Sequence, residues 1–244
     1  MSRQRADLVL VARGFFSSRA KAQEAIALGL VRIDGDVLSK ASMLIDDDVK
    51  IEAAPAYPWV SRGGVKLDAA LNAFGLDPKG SVCLDVGAST GGFSDVLLSR
   101  GAAKIYAVDV GRGQLAAKLR DDPRVVVMEA TDARSLAASR FSPAPNFVTC
   151  DVSFISLRLI LPKVLALAAR GAKLVALIKP QFEVGPHFVV KGIVKDEAKH
   201  REACDGVVTL LKELGWQIVG LVPSPIEGSD GNREFLIGAA KSAP

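Results

Sequence analysis

The residues with the clearest capacity for chemistry lie in a stretch that combines an acid with a glycine-rich turn. Asp85 lies at the end of the apolar run 82–86, and three glycines follow before an apolar periodicity resumes at Phe93. This order predicts a strand, a tight loop and a helix, which together present backbone N–H groups to a nucleotide-like ligand. Asp109 ends the next apolar run about 20 residues further on, the spacing of a carboxylate that binds ribose hydroxyls.

The kind of nucleotide follows from how this loop departs from a dinucleotide-binding fingerprint. Ser89 stands where that fingerprint has the glycine that lets the backbone approach a pyrophosphate. Asp85 would repel a pyrophosphate but suits S-adenosylmethionine, which carries an ammonium group, a sulfonium and two ribose hydroxyls. Asp132 adds an acceptor for the adenine amino group. Each of these acids taken alone is as consistent with a helix cap or a surface charge. The ordered set of Asp85, the glycine loop, Asp109 and Asp132 at successive strand ends favours S-adenosylmethionine. The predicted cofactor-binding residues are Asp85, Gly87, Ala88, Ser89, Thr90, Gly91, Gly92, Phe93, Asp109, Asp132 and Asp151.

A second set of charged residues follows two further predicted strands. Asp151 ends the run 147–151, and Lys179 follows the apolar run 174–178. The carboxyl ends of strands in an open α/β sheet face the ligand crevice, so Lys179 would be partly desolvated, which favours the neutral amine that can act as a base. Lys66 and Glu234, each more typical of a surface charge when taken alone, would complete a cluster suited to a ribose 2′-hydroxyl. That chemistry requires no metal.

The elements that must position these residues divide into two parts with a short linker, 55–60, between them. Residues 61–244 alternate strands and helices, which predicts a doubly wound, mostly parallel sheet whose last strand can run antiparallel. Residues 1–54 predict a small α+β domain with an excess of basic side chains. The predicted strands of the larger part are 82–86, 105–109, 125–128, 147–151, 173–179, 217–222 and 234–239, and its predicted helices are 65–75, 93–99, 113–119, 156–169 and 197–214.

Bulk properties exclude several classes of protein. No apolar run in the 244 residues reaches the roughly 18 that a spanning helix needs, and no apolar segment follows the basic N-terminus as in a secretory signal. The three cysteines are widely spaced, and the two histidines form no metal-binding pattern with them. We therefore expect a cytoplasmic protein without a structural metal, and the net charge of +4 weakly favours an anionic partner.

The motifs together closely resemble the bacterial TlyA family, the hemolysin-A-type ribosomal RNA 2′-O-methyltransferases, over nearly the whole chain. Residues 1–54 resemble an S4 RNA-binding domain, and residues 61–244 resemble an FtsJ-type methyltransferase domain. The motifs that carry the resemblance are residues 61–67, 85–93, 150–156 and 179–183, with Arg5, Asp7, Gly14, Arg19, Gly29, Asp34 and Gly35 in the S4-like part.

The resemblance implies a Rossmann-like class I methyltransferase sheet of seven strands and S-adenosylmethionine as the cofactor. It implies ribosomal RNA as the substrate, within a ribosomal subunit or a ribosome and with cytidine ribose as the usual target, acted on by a monomer or a homodimer. The implied catalytic residues are Lys66, Asp151, Lys179 and Glu234. The predicted RNA-binding residues are Arg3, Arg5, Ser18, Arg19, Lys21 and Arg62.

One stretch departs from the family pattern, and two other functions compete with this one. Pro186 and His187 stand where a basic residue is common, and a second glycine would often follow Lys191-Gly192, so the loop after Lys179 is expected to differ in shape or RNA contact. A membrane-active hemolysin is disfavoured because the sequence has no spanning segment and no long amphipathic helix with a basic face. A catalytically inactive RNA-binding assembly factor is disfavoured by the complete set of acids and lysines.

Overall fold

The computed structural model describes residues 3–228 and 231–241. The chain forms two compact units, Met1–Pro58 and Trp59–Pro244. Each unit buries a separate apolar core, since the described core residues of the first all belong to that unit.

The first unit contains two helices and five short strands. Ser18 begins the second helix, and its Oγ accepts a hydrogen bond from the Lys21 N–H at 3.4 Å. Asp34 and Gly35 form the turn of a hairpin between residues 31–33 and 36–37, and both have positive φ, as a two-residue type I′ turn requires. The elements are β1 (Gln4–Arg5), α1 (Ala6–Ala12), α2 (Arg19–Ala27), β2 (Val31–Ile33), β3 (Asp36–Val37), β4 (Leu44–Ile45) and β5 (Ile51–Ala53).

The second unit is built on a seven-stranded sheet. Its strands are β6 (Val82–Val86), β7 (Lys104–Val108), β8 (Val125–Met128), β9 (Phe147–Cys150), β10 (Lys173–Ile178), β11 (Trp216–Pro223) and β12 (Phe235–Lys241). The order across the sheet is β11-β12-β10-β9-β6-β7-β8, with β12 antiparallel to both neighbours and the remaining pairs parallel. The predicted mostly parallel sheet with an antiparallel last strand is confirmed.

Helices cover both faces of this sheet. One face packs against α6 (Leu157–Ala166) and α8 (Glu197–Glu213), and the other against α3 (Gly63–Phe74) and α4 (Gly92–Ser99). The chain leaves β6 toward β7 on one side and returns to β9 on the other. A ligand crevice is therefore expected at the carboxyl ends of β6 and β9, where the strand order reverses.

Two local differences from the sequence prediction have a physical cause. The predicted helix 113–119 is reduced to α5 (Ala117–Arg120), because the Glu129 carboxylate accepts hydrogen bonds from the backbone N–H groups of residues 113–115 at 2.7–3.0 Å. These N–H groups lower the pKa of Glu129. A short helix that was not predicted, α7 (Pro180–Glu183), begins at Pro180, which suits the first turn of a helix.

Within residues 3–228 and 231–241, no helix has both the length and the hydropathy that crossing a membrane would require.

Candidate active site

Two adjoining cavities lie at the carboxyl ends of the central strands. The larger, about 540 Å³, extends from Gly87 past Asp109 and Asp132, and we call it the donor cavity. The smaller, about 330 Å³, contains both predicted lysines, and we call it the lysine cavity. The two share a wall formed by Gly87, Ser89, Asp151 and Ser153. A ligand in the donor cavity can therefore present one end to the lysine cavity.

The glycine loop between β6 and α4 is shaped by contacts that leave no room for side chains. Gly87 has φ +83°, and a Cβ there would lie 2.1 Å from the backbone oxygen of Asp151. Gly91 has φ +99°, and its Cβ would lie 2.1 Å from Cδ1 of Leu119. Ser89 also adopts a left-handed conformation, φ +48°, although it has a side chain. The loop thus brings its backbone close to β9 and forms the wall of both cavities.

Asp109 is held in the donor cavity by the loop that it faces. Its Oδ2 accepts the Ser89 N–H at 2.8 Å, and its Oδ1 accepts the Gly111 N–H at 2.7 Å. Each carboxylate oxygen can accept a further bond, so the group can bind two vicinal hydroxyls. Sequence spacing predicted this placement at the end of β7.

Asp132 lines the same cavity and begins the turn 133–135. Arg134 forms an ion pair with it at 2.6 Å, and hydrogen bonds from this side chain hold the Asp132 pKa below its usual range. Asp132 is therefore an ionised acceptor, already oriented by its neighbour. Both carboxylate oxygens already accept hydrogen bonds from the backbone N–H and guanidinium of Arg134, so a ligand amino group would have to share or displace these donors.

Asp85 differs from its sequence-based prediction. It lines neither cavity but is fully buried behind the loop, where it accepts hydrogen bonds from Ser94 Oγ at 2.6 Å and Thr149 Oγ1 at 2.8 Å. Burial raises its pKa to about 6, against the opposing effect of these two donors. Asp85 ties α4 and β9 to β6, so the predicted direct contact with an ammonium group is corrected to a role in positioning the loop.

The lysine cavity brings together all four residues of the predicted catalytic cluster. Lys66 on α3 forms an ion pair with Glu234, just before β12, and their side chains are only 8% and 3% exposed. Lys179 at the end of β10 lies 2.6 Å from Asp151 at the end of β9. Residues 168 positions apart thus form one buried pair, because α3 packs beside β12 at this edge.

The two lysine–carboxylate pairs differ in their hydrogen bonding and in their exposure to solvent. Lys179 Nζ donates a hydrogen bond to Ser153 Oγ at 2.8 Å, whereas its approach to Asp151 Oδ1 is an ion pair without the angles of a hydrogen bond. Lys179 and Asp151 keep 11% and 21% of their side chains exposed. The Lys179–Asp151 pair therefore keeps more of its surface exposed than the Lys66–Glu234 pair, mainly at Asp151.

Ser153 and Phe154 were not singled out by sequence reasoning, although both lie in the motif 150–156. Phe154 is 90% exposed at φ +65°, an unusual conformation for an aromatic residue, and lines the donor cavity. Its ring centroid lies 5.3 Å from that of Phe182 on α7. The rim of the site therefore presents an exposed aromatic face.

The predicted RNA-binding residues fall into two groups. Arg62 lines the lysine cavity of the second unit. In the first unit, Asp7 is fully buried and accepts hydrogen bonds from Arg5, Arg19 and Gln23, which hold its pKa below its usual range.

Asp7 thus fixes two of the predicted arginines while leaving their side chains 41% and 53% exposed. Arg3 forms an exposed ion pair with Asp46 at 3.4 Å, and Ser18 caps α2 through the Lys21 N–H. Asp7 is one of the residues that carry the S4 resemblance, but its position between the arginines could not be predicted from the sequence.

Two known protein families match this chain, one in each of its two units. The FtsJ-like methyltransferase family model matches residues 59–241, and the S4 domain model matches residues 4–51. The 16S/23S rRNA (cytidine-2′-O)-methyltransferase TlyA of Mycobacterium tuberculosis is 45% identical over 96% of this chain and 89% of its own. Hemolysin A of Brachyspira hyodysenteriae is 40% identical over 95% of this chain and 98% of its own.

A solved structure extends the similarity to the fold. A candidate hemolysin of Streptococcus thermophilus superposes with a TM-score of 0.78 at 40% sequence identity, over 100% of this chain and 90% of that one. Sequence motifs, sheet order and whole-chain similarity therefore agree. The chain belongs to the TlyA family, the FtsJ-like methyltransferases that carry an N-terminal S4 domain.

Proposed function

We propose that this protein transfers a methyl group from S-adenosylmethionine to the 2′-hydroxyl of a ribose in ribosomal RNA, with cytidine as the target nucleotide. One observation carries the proposal. The two lysine–carboxylate pairs meet in a cavity that shares the wall Gly87, Ser89, Asp151 and Ser153 with the donor cavity. The family relative from Mycobacterium tuberculosis is named for this reaction on 16S and 23S rRNA.

The donor cavity fits S-adenosylmethionine by shape and by its acceptors. Asp109 would bind the two ribose hydroxyls, and Asp132 would accept from the adenine amino group. The glycine loop would hold the methionine end, since Gly87 and Ser89 line the wall that the two cavities share. When bound, this cofactor supplies the methyl group, and its sulfur leaves as a neutral thioether with the electron pair of the broken carbon–sulfur bond.

The lysine cavity would activate the acceptor oxygen. A ribose hydroxyl is a weak nucleophile while protonated, so a base must take its proton as the oxygen–carbon bond forms. Lys179 is placed for this step, because it lines the lysine cavity and its amine is oriented by Ser153. The proton would then rest on Lys179 beside Asp151, where the resulting ammonium has a carboxylate at 2.6 Å.

Lys66 and Glu234 would contribute a second charged pair to the cavity in which this step takes place. Their pair is nearly inaccessible to solvent, so Lys66 is a fixed cation in the same cavity. Glu234 balances Lys66 and keeps it in position. Once Lys179 has taken the proton, the two lysines and the two carboxylates would together carry no net charge.

The remaining features support an RNA substrate. Phe154 offers an exposed aromatic face at the rim, a surface on which an unstacked base can lie. In the S4 unit, the exposed parts of Arg5 and Arg19 would contact phosphates, with Asp7 fixing their direction. A substrate within ribosomal particles places the reaction in the cytoplasm, where ribosomes are found.

The proposal is tested with purified protein, ribosomal subunits from cells that lack it, and tritiated S-adenosylmethionine. Lys179→Met should abolish methyl transfer while donor affinity, measured by calorimetry, changes less than about threefold. Lys173→Met is the matched control, because Lys173 begins the same strand at the opposite edge of the sheet. Near-normal transfer by the Lys179 variant would overturn the catalytic assignment, and no transfer by the wild type to either subunit would overturn the function.

A further inference from the structure

The loop that follows the catalytic lysine carries a basic residue in an unfavourable backbone conformation. Val190 and Ile193 form an isolated antiparallel bridge, with mutual backbone hydrogen bonds of 2.9 and 3.0 Å. The two residues between them, Lys191 and Gly192, have φ +51° and +81°. Turns with both central residues at positive φ favour asparagine or glycine, because a Cβ is disfavoured there. The backbone conformation of this turn therefore does not explain why position 191 is a lysine.

Two buried side chains clamp the base of this turn. Asn232, 1% exposed, donates from Nδ2 to the Gly192 oxygen at 2.7 Å and accepts the Val194 N–H at 3.1 Å. His200 on α8 contacts the Val194 oxygen through Nε2 at 2.8 Å. The turn is therefore fixed to β12 and α8 by specific hydrogen bonds.

The clamp also sets the position of the turn relative to the lysine cavity. Asn232 precedes Glu234 by two residues, which limits the distance between their Cα atoms to about 7 Å. The Gly192 oxygen lies within hydrogen-bond distance of Asn232, and Lys191 is the residue immediately before Gly192. The turn is therefore a rigid neighbour of the Glu234–Lys66 pair.

The exposed surface of this segment is basic and apolar. Residues 184–195 contain Lys191, Lys195 and His187 but no aspartate or glutamate. Phe188 and Val190 are 44% and 63% exposed. Lys191 is exposed, and no carboxylate in the described part of the chain forms an ion pair with it. An uncompensated ammonium beside exposed apolar side chains is suited to an anionic polymer.

We propose that Lys191 binds an RNA phosphate that flanks the methylated ribose, presented by a turn that Asn232 and His200 hold beside the catalytic cluster. The inference rests on the proposed function, and it assigns the second unit its own contact with the substrate backbone. Phosphate is the favoured partner because a lysine ammonium acts as a point charge and needs no fixed geometry. An acidic ribosomal protein is the competing partner.

The test uses the full-length protein with ribosomal subunits and with protein-free ribosomal RNA, at salt concentrations from about 50 to about 200 mM. Lys191→Asn removes the charge and installs a residue that tolerates this backbone conformation, so its melting temperature should equal or exceed that of the wild type. Its KM for RNA should rise about three- to tenfold, and the slope of log KM against log salt should fall by about 0.7–0.9, the value of one phosphate contact. The kcat at saturating RNA should not change.

Two further variants complete the experiment. Lys191→Arg keeps the charge and should retain the wild-type KM and slope. Lys79→Asn removes an exposed charge before β6, at the sheet edge opposite the cavities, and should also behave as the wild type.

An unchanged KM and salt slope for Lys191→Asn, with an active wild type, would overturn this inference alone. A defect confined to subunits and absent on protein-free RNA would overturn it in favour of an acidic protein. A wild type that methylates neither substrate would instead overturn the proposed function.

Discussion

Asp85 is the buried carboxylate whose titration should leave the clearest mark on stability. It is shielded from solvent behind the glycine loop, and burial raises its pKa to about 6 despite the hydrogen bonds from Ser94 and Thr149. An exposed aspartate titrates at about 3.9. The folded state therefore binds this proton more tightly than the unfolded state does.

The size and sign of the effect follow from this difference. The stabilising contribution of protonated Asp85 is complete below about pH 3.9 and is lost as the pH rises through about 6. A difference of about two pH units, at about 1.4 kcal/mol each, corresponds to about 3 kcal/mol in the free energy of unfolding. Asparagine at this position cannot titrate. The unfolded chain is already half ionised at pH 4, so the stability of Asp85→Asn relative to wild type should increase by about 2 kcal/mol between about pH 4 and about pH 7.

Urea denaturation at several pH values, followed by circular dichroism, measures this difference directly. Other titrating groups act equally in both proteins and cancel in the comparison. Thr149→Ser keeps the hydroxyl donor to Asp85 and serves as a matched core variant, whose difference from wild type should not depend on pH. A difference between Asp85→Asn and wild type that stays constant across the range would refute the buried, proton-binding carboxylate.

Three other expected outcomes follow from the packing and the division of the chain. Gly87→Ala should abolish donor binding and lower the melting temperature, because the added Cβ meets the Asp151 oxygen. Gly171→Ala is the control: this glycine has φ +69° and open space around it, so the substitution should lower the free energy of unfolding by only about 1–2 kcal/mol. Equal effects of the two substitutions in a thermal melt would contradict the close approach at Gly87. Glu234→Gln leaves the Lys66 ammonium buried without its carboxylate and should lower the free energy of unfolding by about 3–5 kcal/mol in urea titrations, and a loss below about 1 kcal/mol would speak against a buried pair. Residues 1–58 form a unit with its own core, so they can be removed as a whole. Their removal should weaken the binding of ribosomal RNA more than tenfold in filter-binding assays and change donor affinity less than about twofold in calorimetry. Unchanged RNA affinity would show that the S4 unit does not bind the substrate.

The sheet could be predicted from sequence because its signals are local. Each apolar run of residues 82–86, 125–128 and 147–150 is bounded by turn residues or acids, and parallel strands buried on both faces have continuous hydrophobic runs. The acids at the ends of β7 and β9 follow from the same rule, since carboxyl ends of parallel strands meet at one edge.

Interactions between distant residues could not be predicted in this way. Asp85 turns inward because Thr149, 64 residues away, donates to it, and the helix predicted at 113–119 is shortened by the carboxylate of Glu129. Thr149 and Glu129 are residue types that are also common at protein surfaces, so their identity does not indicate these interactions. Lys66 and Glu234 could be assigned to the predicted cluster, but their direct contact depends on the packing of α3 beside β12.

The position of the transferred methyl group tests the central claim most directly. Ribosomal subunits from cells that lack this protein would be incubated with it and with a donor that carries a deuterated methyl group, and the RNA would then be digested to nucleosides for mass spectrometry. We predict label in 2′-O-methylcytidine with the wild type and none with Lys179→Met. Label on a nucleobase, or equal 2′-O labelling by the variant, would contradict the account.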